Sequence, residues 1–298
     1  MAQIELKALR AFVKVAEMGN ISHAAMALGL TQSSLSRIVA GFERQLGTAL
    51  FHRTGRGVQL TEAGDAVMAR ARNIVVNAEQ LQADIHDFGQ APSGVVTLAL
   101  LPSLMRDMAG DLYEVVRKKH PGITLRMLEG FSNQVEEWLS DGRADVGVLS
   151  RYRGALGAGE EVISSSHLVL VGARPVNDRK TIRFRDLARI PLVLPASPNG
   201  LRIAVNDVAR RLRLRLDVLA EADSLEAQKA IVRREECFAV LGSDAVAGEA
   251  ARGTLHARTI VEPQLPRLLV MATTTQRPLS RATREVAAFV KRLAMRQG

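Results

Sequence analysis

Residues 21–64 read ISHAAMALGLTQSSLSRIVAGFERQLGTALFHRTGRGVQLTEAG, and this stretch decides the fold of the N-terminal region. Ser22 can cap a first short helix that ends at Gly29, and Thr31 can cap a second helix. Spacings of four, three and four residues place the apolar side chains of the second helix on one stripe: Leu35, Val39, Phe42 and Leu46. Two such helices joined by the turn Gly29-Leu30 predict a helix-turn-helix.

The opposite face of the second helix begins with small polar side chains and then an arginine. This composition suits a helix that enters a DNA major groove with its N-terminus first. The candidate DNA-binding residues of this helix are Thr31, Gln32, Ser33, Ser34, Ser36 and Arg37. The alternative is a helical domain that merely contains two helices joined by a turn. The small pair Ala24-Ala25, placed where two helices would cross closely, favours the helix-turn-helix.

Residues 51–60 alternate bulky, basic and glycine residues and predict a two-stranded wing, in which Arg53 and Arg56 would contact phosphates. A further helix, predicted over residues 5–18, would complete a small domain.

The segment resembles the N-terminal domain of LysR-type transcriptional regulators. The family's residues recur in the same order: Ala24-Ala25, Leu28, Thr31-Gln32, Leu35-Ser36-Arg37, Glu43, Leu46-Gly47, Leu50-Phe51, Arg53, Leu60-Thr61 and Ala63-Gly64. This N-terminal segment departs from the family pattern at four positions. Ser33 stands where Pro is frequent, Ile38 and Ala40 occupy commonly polar positions, and Phe42 replaces the usual Leu. We expect these departures to alter which operator is recognised rather than whether DNA is bound.

A long helix is predicted from Thr61 to Phe88. Its apolar residues are spaced alternately by four and three, which is typical of a heptad seam. The seam consists of Val67, Ala71, Ile74, Ala78, Leu81, Ile85 and Phe88. A helix packed only against its own domain is the alternative. The narrow seam favours pairing with a second copy of the chain, so we predict a dimerisation helix.

After a short hinge near Gly94, predicted strands and helices alternate, which indicates parallel sheets covered by helices on both faces. The family resemblance covers this region more loosely, through Glu129 to Ser132 and Gly142 to Gly147. It implies two α/β lobes joined by two crossing strands. The predicted fold is thus an α+β winged helix-turn-helix with a long linker helix, followed by an α/β two-lobed, periplasmic-binding-protein-like effector domain.

The predicted boundaries are 1–60 for the DNA-binding domain, 61–89 for the linker helix and 90–298 for the effector-binding domain. Within the effector-binding domain, lobe I is predicted at 93–162 and 267–298, and lobe II at 163–266.

Ligands of open α/β sheets lie beyond the carboxyl ends of strands, beside helix N-termini. The residues predicted at those positions are Leu101, Pro102, Ser103, Phe131, Ser132, Ser150, Arg151, Ser197 and Asn199. Hydroxyl groups, helix dipoles and one arginine would favour a small carboxylate or another anion. The serines at 103, 132 and 197 can instead be ordinary N-caps, and Arg151 can be a surface residue.

The net charge is +9, but residues 1–64 carry seven basic and four acidic side chains and so only +3. Much of the excess lies elsewhere, including Arg202, Arg210, Arg211, Arg213 and Arg215. This cluster is either a solvated helix face or an anion-attracting surface. The single cysteine, Cys237, fits a reducing cytoplasm and lies in an apolar run that predicts a buried strand. The chain has no apolar run of eighteen residues and does not begin like a signal peptide, so we expect a cytoplasmic protein without a membrane partner.

Three classes of function compete: an effector-responsive transcription factor, a ligand-independent DNA-binding repressor or architectural protein, and an α/β enzyme. The sequence lacks a nucleophile elbow, a phosphate loop, a dinucleotide fingerprint and metal-ligand spacing. We therefore predict no catalytic residue, metal or cofactor. The expected partners are an inverted-repeat operator in double-stranded DNA, a small-molecule effector, a second copy of the chain and, for an activator, RNA polymerase. The resemblance further implies a homotetramer that bends DNA.

Overall fold

The computed structural model describes residues 4–54, 57–86, 91–152, 156–157, 159–234 and 236–297. The chain divides into two compact units. The first is built from Met1–Ala91 and Thr275–Ser280, and the second from Pro92–Thr274 and Arg281–Gly298.

The first unit contains a three-helix domain, a two-stranded wing and a long helix. Its elements are α1 (Leu6–Met18), α2 (Ile21–Ala27), α3 (Gln32–Leu46), β1 (Phe51–Thr54), β2 (Gly57–Leu60) and α4 (Glu62–His86). Phe12 of α1 is fully buried, and its ring lies 6.2 Å from the ring of Phe42 and 5.4 Å from that of Phe51, measured between centroids. Helix α1, helix α3 and the wing therefore share one aromatic core. The predicted winged helix-turn-helix with its long helix is confirmed.

The cap of α2 differs from the prediction. Asn20, rather than Ser22, is the N-cap, and its Oδ1 accepts the backbone N–H groups of Ser22 (2.9 Å) and His23 (3.1 Å). The helix thus begins at Ile21, because an asparagine two residues after the end of α1 already satisfies the first free N–H groups.

The second unit alternates strands and helices. Its elements are β3 (Gly94–Leu100), α5 (Pro102–Lys119), β4 (Ile123–Glu129), α6 (Ser132–Ser140), β5 (Val146–Arg151), β6 (Glu161–Gly172), β7 (Thr181–Arg183), β8 (Pro191–Leu194), α7 (Gly200–Arg211), β9 (Asp217–Glu221), α8 (Leu225–Arg234), β10 (Phe238–Gly242), α9 (Ala247–Ala251), β11 (His256–Val261), β12 (Pro266–Thr273) and α10 (Arg281–Gln297). Short 3₁₀ helices occupy Phe184–Arg189 and Ser243–Val246.

The strands of this unit form two lobes that share one long strand. Lobe I has the strand order β4-β3-β5-β12-β6. Lobe II continues from β6 through β10, β8 and β9, while β11 also pairs with β6 and β7 pairs with β11. Residues 161–167 of β6 pair with β12, whereas residues 168–172 pair with β10 and β11. Strand β6 thus crosses from one lobe to the other.

The sheets are mixed rather than wholly parallel, which corrects the expectation from the alternating pattern. Strands β3, β4 and β5 are parallel to one another, but β12 is antiparallel to both β5 and β6, and β6 is antiparallel to β10 and β11. The two strands that cross between the lobes run against their neighbours because they carry the chain out of a sheet and back. Helices α5 and α10 cover one face of lobe I, with Met108, Leu112 and Phe289 in its core, and α6 covers the other.

The basic cluster of lobe II separates into two parts. Arg210, Arg211, Arg213 and Arg215 lie at and beyond the end of α7, and most of them are exposed. Arg202 is half-buried and donates to the backbone carbonyl of Pro195 (3.0 Å) and to Glu221 (2.8 Å). Arg202 therefore fixes the loop before α7 and does not belong to a solvated face.

Candidate functional site

Helix α3 presents its polar N-terminal face to solvent. Gln32, Ser33 and Arg37 are exposed or nearly so, Ser34 and Ser36 are partly buried, and Leu35 on the opposite face is fully buried. Thr31 is the N-cap, as predicted: its Oγ1 accepts the backbone N–H of Ser34 (3.2 Å) and donates to the Ser34 hydroxyl (2.8 Å). The hydroxyl of Thr31 is therefore already engaged within the helix end, and it also lies in hydrogen-bond distance of the Ser33 hydroxyl (3.2 Å). The side chains of Gln32 and Arg37 are exposed and open to contact.

Three hydrogen bonds from backbone N–H groups hold the wing and the residue before it to the helical part of the domain. Glu43 of α3 accepts the backbone N–H groups of Leu50 (2.7 Å) and Phe51 (3.1 Å) through its Oε1. The N–H of Val58 donates to the carbonyl of Gly19 at 2.9 Å. Arg53 on β1 pairs with Val58 on β2. The side chain of Arg53 and the whole of Arg56 lie outside the described residues.

Thr61 and Gly64 shape the passage from the wing into α4. The Thr61 hydroxyl accepts the N–H of Gly64 (3.0 Å) and donates to the carbonyl of Ala49 (2.8 Å). A Cβ atom on Gly64 would lie only 2.3 Å from the carbonyl oxygen of Leu50. The start of α4 is thereby fixed against the base of the wing.

Helix α4 carries two apolar stripes. Met68, Ala71 and Val75 are buried in the core of their own unit, so the prediction that Ala71 faces a partner chain is wrong. Its side chain is covered because α4 packs against α1 along this stripe. The remaining seam residues lie on another face: Val67 (38% exposed), Ile74 (50%), Leu81 (61%) and Ile85 (68%), with Ala78 half-buried among them. Phe88 lies outside the described residues.

A cleft between lobes I and II encloses an empty volume of about 580 Å³, including its open mouth. This volume falls in the range of small-molecule sites, roughly 300–1,000 Å³. Its lining comes from the carboxyl ends of strands and the helices that follow them: Leu101, Pro102, Ser103, Phe131, Ser132, Ser150, Tyr152, Pro195, Asn199, Gly200, Leu201, Leu225, Gln228, Leu241, Gly242, Ala245 and Arg267. Seven of the nine residues predicted for the ligand site line it.

The other two predicted residues, Arg151 and Ser197, do not line the cleft. The guanidinium of Arg151 is paired with Glu160 and Glu136. The hydrogen bond from Arg151 holds the pKa of Glu160 below its usual value, although burial opposes this. Ser197 is exposed, and Asn199 is the N-cap of α7, with its Oδ1 accepting the N–H of Leu201 at 2.9 Å. Ser103 and Ser132 are not N-caps either, because Leu101 and Phe131 occupy those positions.

The arginine of the cleft is Arg267, near the start of β12. Its side chain is only 6% exposed, its Nε donates to the hydroxyl of Ser150 at 2.8 Å, and its Nη1 is paired with Asp244. Burial would lower the pKa of Arg267, but the charge and hydrogen bond of Asp244, together with Tyr152, outweigh burial and raise it. The guanidinium is therefore a fixed cation in the wall of the cleft. A lone arginine within the apolar run of residues 265–272 was the available sequence signal.

Asp244 connects the two lobes behind Arg267. Its Oδ2 accepts the hydroxyl of Ser103 from lobe I, and its Oδ1 accepts that of Ser166 on the crossing strand β6, both at 3.3 Å. Burial disfavours its ionised form, yet the charge and hydrogen bond of Arg267 keep the pKa of Asp244 below its ordinary value. Beside it, Arg106 of α5 donates to the carbonyl of Ala245 in lobe II at 3.3 Å.

The N-terminus of α5 offers backbone donors to the cleft. Pro102 occupies the first turn, and no side chain caps this end. Within the described residues, the N–H groups of Ser103 and Leu104 have no hydrogen-bond partner. The end of an eighteen-residue helix with free N–H groups attracts anions through its dipole. The cleft thus combines such donors with a buried guanidinium.

The described residues contain no group of three or more His, Cys, Asp or Glu side chains that could hold a metal ion. No helix among them is long and apolar enough to cross a membrane.

Comparison with known proteins identifies both units. Residues 6–65 match the family described as bacterial regulatory helix-turn-helix protein, lysR family, and residues 89–294 match the LysR substrate binding domain. The chain belongs to the LysR family. It is a LysR-type DNA-binding transcriptional regulator and not an enzyme, as the sequence predicted.

Several curated LysR-type relatives align over most of their length. The nitrogen assimilation regulatory protein nac of Escherichia coli (strain K12) is 28% identical over 243 residues, which are 81% of this chain and 79% of that protein. The HTH-type transcriptional regulator BbuR of Bordetella bronchiseptica is 26% identical, covering 97% of this chain and 91% of that protein.

Solved structures of LysR regulators share the fold. A full-length OxyR variant from Pseudomonas aeruginosa superposes with a TM-score of 0.73 at 21% identity, covering 98% of this chain and 96% of that one. Full-length CbnR complexed with its target DNA gives a TM-score of 0.66 at 19% identity, covering 97% of this chain and 100% of that one.

Proposed function

We propose that this regulator changes its activity at an operator when a small anionic metabolite binds between lobes I and II. The observation that carries the proposal is the cleft itself. Free N–H groups at the start of α5 and the guanidinium of Arg267 converge on one enclosed volume. A carboxylate would satisfy donors that the described residues leave without partners.

The contacts beside the cleft suggest how binding is transmitted. Ser103 and Arg106 of lobe I reach Asp244 and Ala245 of lobe II, so a ligand seated between them changes the balance of contacts between the lobes. A ligand shifts a conformational equilibrium only by its differential affinity for the two states, typically about 1–3 kcal/mol. We propose that lobe closure alters how the subunits assemble on DNA.

For the operator, we propose that Gln32, Ser33, Ser36 and Arg37 of α3 contact base edges and neighbouring phosphates, with Thr31 and Ser34 shaping the helix end. Arg53 and Arg56 of the wing would contact phosphates. The exposed polar face of α3 and its buried opposite face support this placement. We place the protein in the cytoplasm, where operator DNA is accessible.

For assembly, we propose a homodimer that pairs through Val67, Ile74, Leu81 and Ile85 and reads an inverted repeat. Association of two dimers into a tetramer, and contact with RNA polymerase if the protein is an activator, are part of the same proposal.

The competing function is a ligand-independent repressor or architectural protein, in which the serines of the cleft serve only the fold. A thermal-shift screen of small carboxylates distinguishes the effector-responsive regulator from the ligand-independent one. The screen uses the full-length protein and the variants Ser103→Ala and Ser132→Ala. Ser197→Ala is the matched control, because it makes the same change at an exposed serine outside the cleft. We expect a stabilising carboxylate whose effect weakens in the first two variants and persists in the control. A ligand that stabilises all four proteins equally would place the binding site elsewhere.

A further inference from the structure

Gln228 contributes the amide side chain of α8 to the cleft. Leu225 and Gln228 are three residues apart and therefore lie on one face of the helix, and both line the cleft. Gln228 is only 2% exposed. An uncharged polar side chain is thus buried where a ligand is expected.

The orientation of this amide is fixed by its own hydrogen bond. Its Nε2 donates to the backbone carbonyl of Ala222 at 2.7 Å, and a carbonyl can only accept. The nitrogen must therefore face Ala222, which leaves Oε1 as an acceptor on the other branch. Among the described residues, Oε1 has no hydrogen-bond partner, although it is buried. Buried polar side-chain atoms without a partner are uncommon and call for an explanation.

Three other side-chain acceptors of the cleft already accept hydrogen bonds within the protein. The Ser132 hydroxyl accepts the N–H of Ser150 (2.9 Å), and the Ser150 hydroxyl accepts Nε of Arg267 (2.8 Å). Asn199 uses its Oδ1 to cap α7. The cleft therefore offers a ligand many donors and, at Gln228, an acceptor whose need is unmet.

We propose that Gln228 is a specificity-determining residue that selects ligands carrying an N–H or O–H donor in addition to their anionic group. Amino acids, hydroxy acids and acid amides fit this requirement, whereas carboxylates without a donor leave Oε1 buried and unpaired. A site built to form a hydrogen bond rejects an analogue that lacks the donor. This inference rests on the proposed function, since it assumes that the cleft binds a small anion.

The test uses pairs of probes that have the same charge and differ mainly in the donor: lactate and pyruvate, and 2-hydroxyglutarate and 2-oxoglutarate. Dissociation constants are measured by calorimetry on the full-length protein. For the pair that binds, we expect the donor-bearing member to bind about tenfold or more tightly, the ratio that corresponds to about 1.4 kcal/mol. In Gln228→Met, which keeps the length of the side chain and removes the acceptor, the ratio should fall to near one.

Two further variants keep the outcome interpretable. Gln228→Glu loses the donor to the Ala222 carbonyl, as Gln228→Met does, but it retains an acceptor. It should therefore weaken every anionic probe yet keep the preference for the donor-bearing member. Gln264→Met makes the same change as Gln228→Met at an exposed residue of lobe II and should leave the ratio unchanged.

Equal binding of both members of a pair by the parent protein would overturn the role of Gln228 and leave the cleft function intact. A preference that survives in Gln228→Met would also overturn it. Absence of binding by every probe would count against the proposed cleft function, and this inference would fall with it.

Discussion

Arg267 and Asp244 form a largely buried ion pair in the wall of the inter-lobe cleft, with 6% of the arginine side chain and 21% of the aspartate side chain exposed. Arg267 comes from β12 and Asp244 from the 3₁₀ helix that follows β10, so the pair joins a crossing strand to lobe II. Desolvating two charges is costly, and the structure offsets that cost with hydrogen bonds from Ser103 and Ser166 to the carboxylate and from the guanidinium to Ser150. The cleft is therefore lined by the cation Arg267, whose counterion Asp244 is not among the lining residues.

Replacing Asp244 by Asn should strongly destabilise the second unit. The substitution leaves the Arg267 charge buried without a counterion, and breaking such a pair typically costs about 3–5 kcal/mol. We expect a loss near the lower end of that range, because the amide still accepts a hydrogen bond. Denaturant unfolding at neutral pH measures it. Glu161→Gln is the control, because Glu161 pairs with Lys291 at a half-exposed surface position, where an ion pair contributes at most about 1 kcal/mol.

The contribution of Asp244 should depend on pH in a defined direction. Its pKa is lower in the folded protein than the ordinary value of about 3.9, so ionisation stabilises the fold above that value. The stability difference between the parent and Asp244→Asn should stay constant from neutral pH down to about pH 5. It should then shrink as the pH falls further, through the folded-state pKa. A difference that grows on acidification would contradict the assignment.

The carboxylate of Glu43 should couple the position of the wing to α3. Glu43→Ala removes the acceptor for two backbone N–H groups, and an unsatisfied buried donor costs about 1–3 kcal/mol. We expect a lower unfolding temperature and weaker DNA binding, whereas Glu43→Gln should retain most of both, since its amide oxygen can still accept. Glu17→Ala, which removes a largely exposed ion-pair partner from α1, provides the comparison. Full stability of Glu43→Ala would show that the wing is held by other contacts.

The helix-turn-helix was readable from the sequence because its signals are local. The Thr31 cap, the apolar stripe of α3 and the glycine-bearing wing all lie within one short stretch of chain, residues 21–64. The cap of α2 was assigned two residues too late, since Asn20 and Ser22 are both good caps and only the structure shows which of them accepts N–H groups. Ala71 was assigned to the wrong surface, because two apolar stripes on one helix cannot be told apart by spacing alone.

The cleft was only partly predictable. Strand ends identified Ser103, Ser132 and Ser150, because parallel strands bring their carboxyl ends to one edge of a sheet. Arg267 and Gln228 reach the same cleft through strand crossing and helix packing, from parts of the chain far from Ser150 in sequence. An arginine inside an apolar run is the one local sign of Arg267 in the sequence, and nothing local indicates its partner. The sequence instead indicates Arg151, which follows Ser150 directly, but its guanidinium pairs with Glu160 and Glu136.

Substitutions in the DNA-binding unit should separate affinity from sequence preference. Arg53→Ala should weaken binding to all duplexes and reduce the slope of log affinity against log salt by about 0.9, the share of one phosphate contact. Gln32→Ala should instead change the preferred operator, by about 1–3 kcal/mol per affected base pair. Selection from a random duplex library identifies the operator, and fluorescence anisotropy at several salt concentrations measures both effects. A Gln32 variant that selects the parent operator with unchanged affinity would remove this residue from base recognition.

The exposed stripe of α4 should hold two chains together. The double variant Ile74→Asp, Leu81→Asp introduces two charges at side chains that are 50% and 61% exposed. The fold of the single chain should tolerate these charges, whereas a paired apolar seam should not. Sedimentation should show monomers that keep their helical content, and operator affinity should fall because an inverted repeat no longer engages two linked domains. Ala66→Asp introduces a charge at an exposed position of the same helix that is neither three nor four residues from a seam residue, and it should leave the assembly intact. A double variant that remains oligomeric would show that the chains associate through another surface.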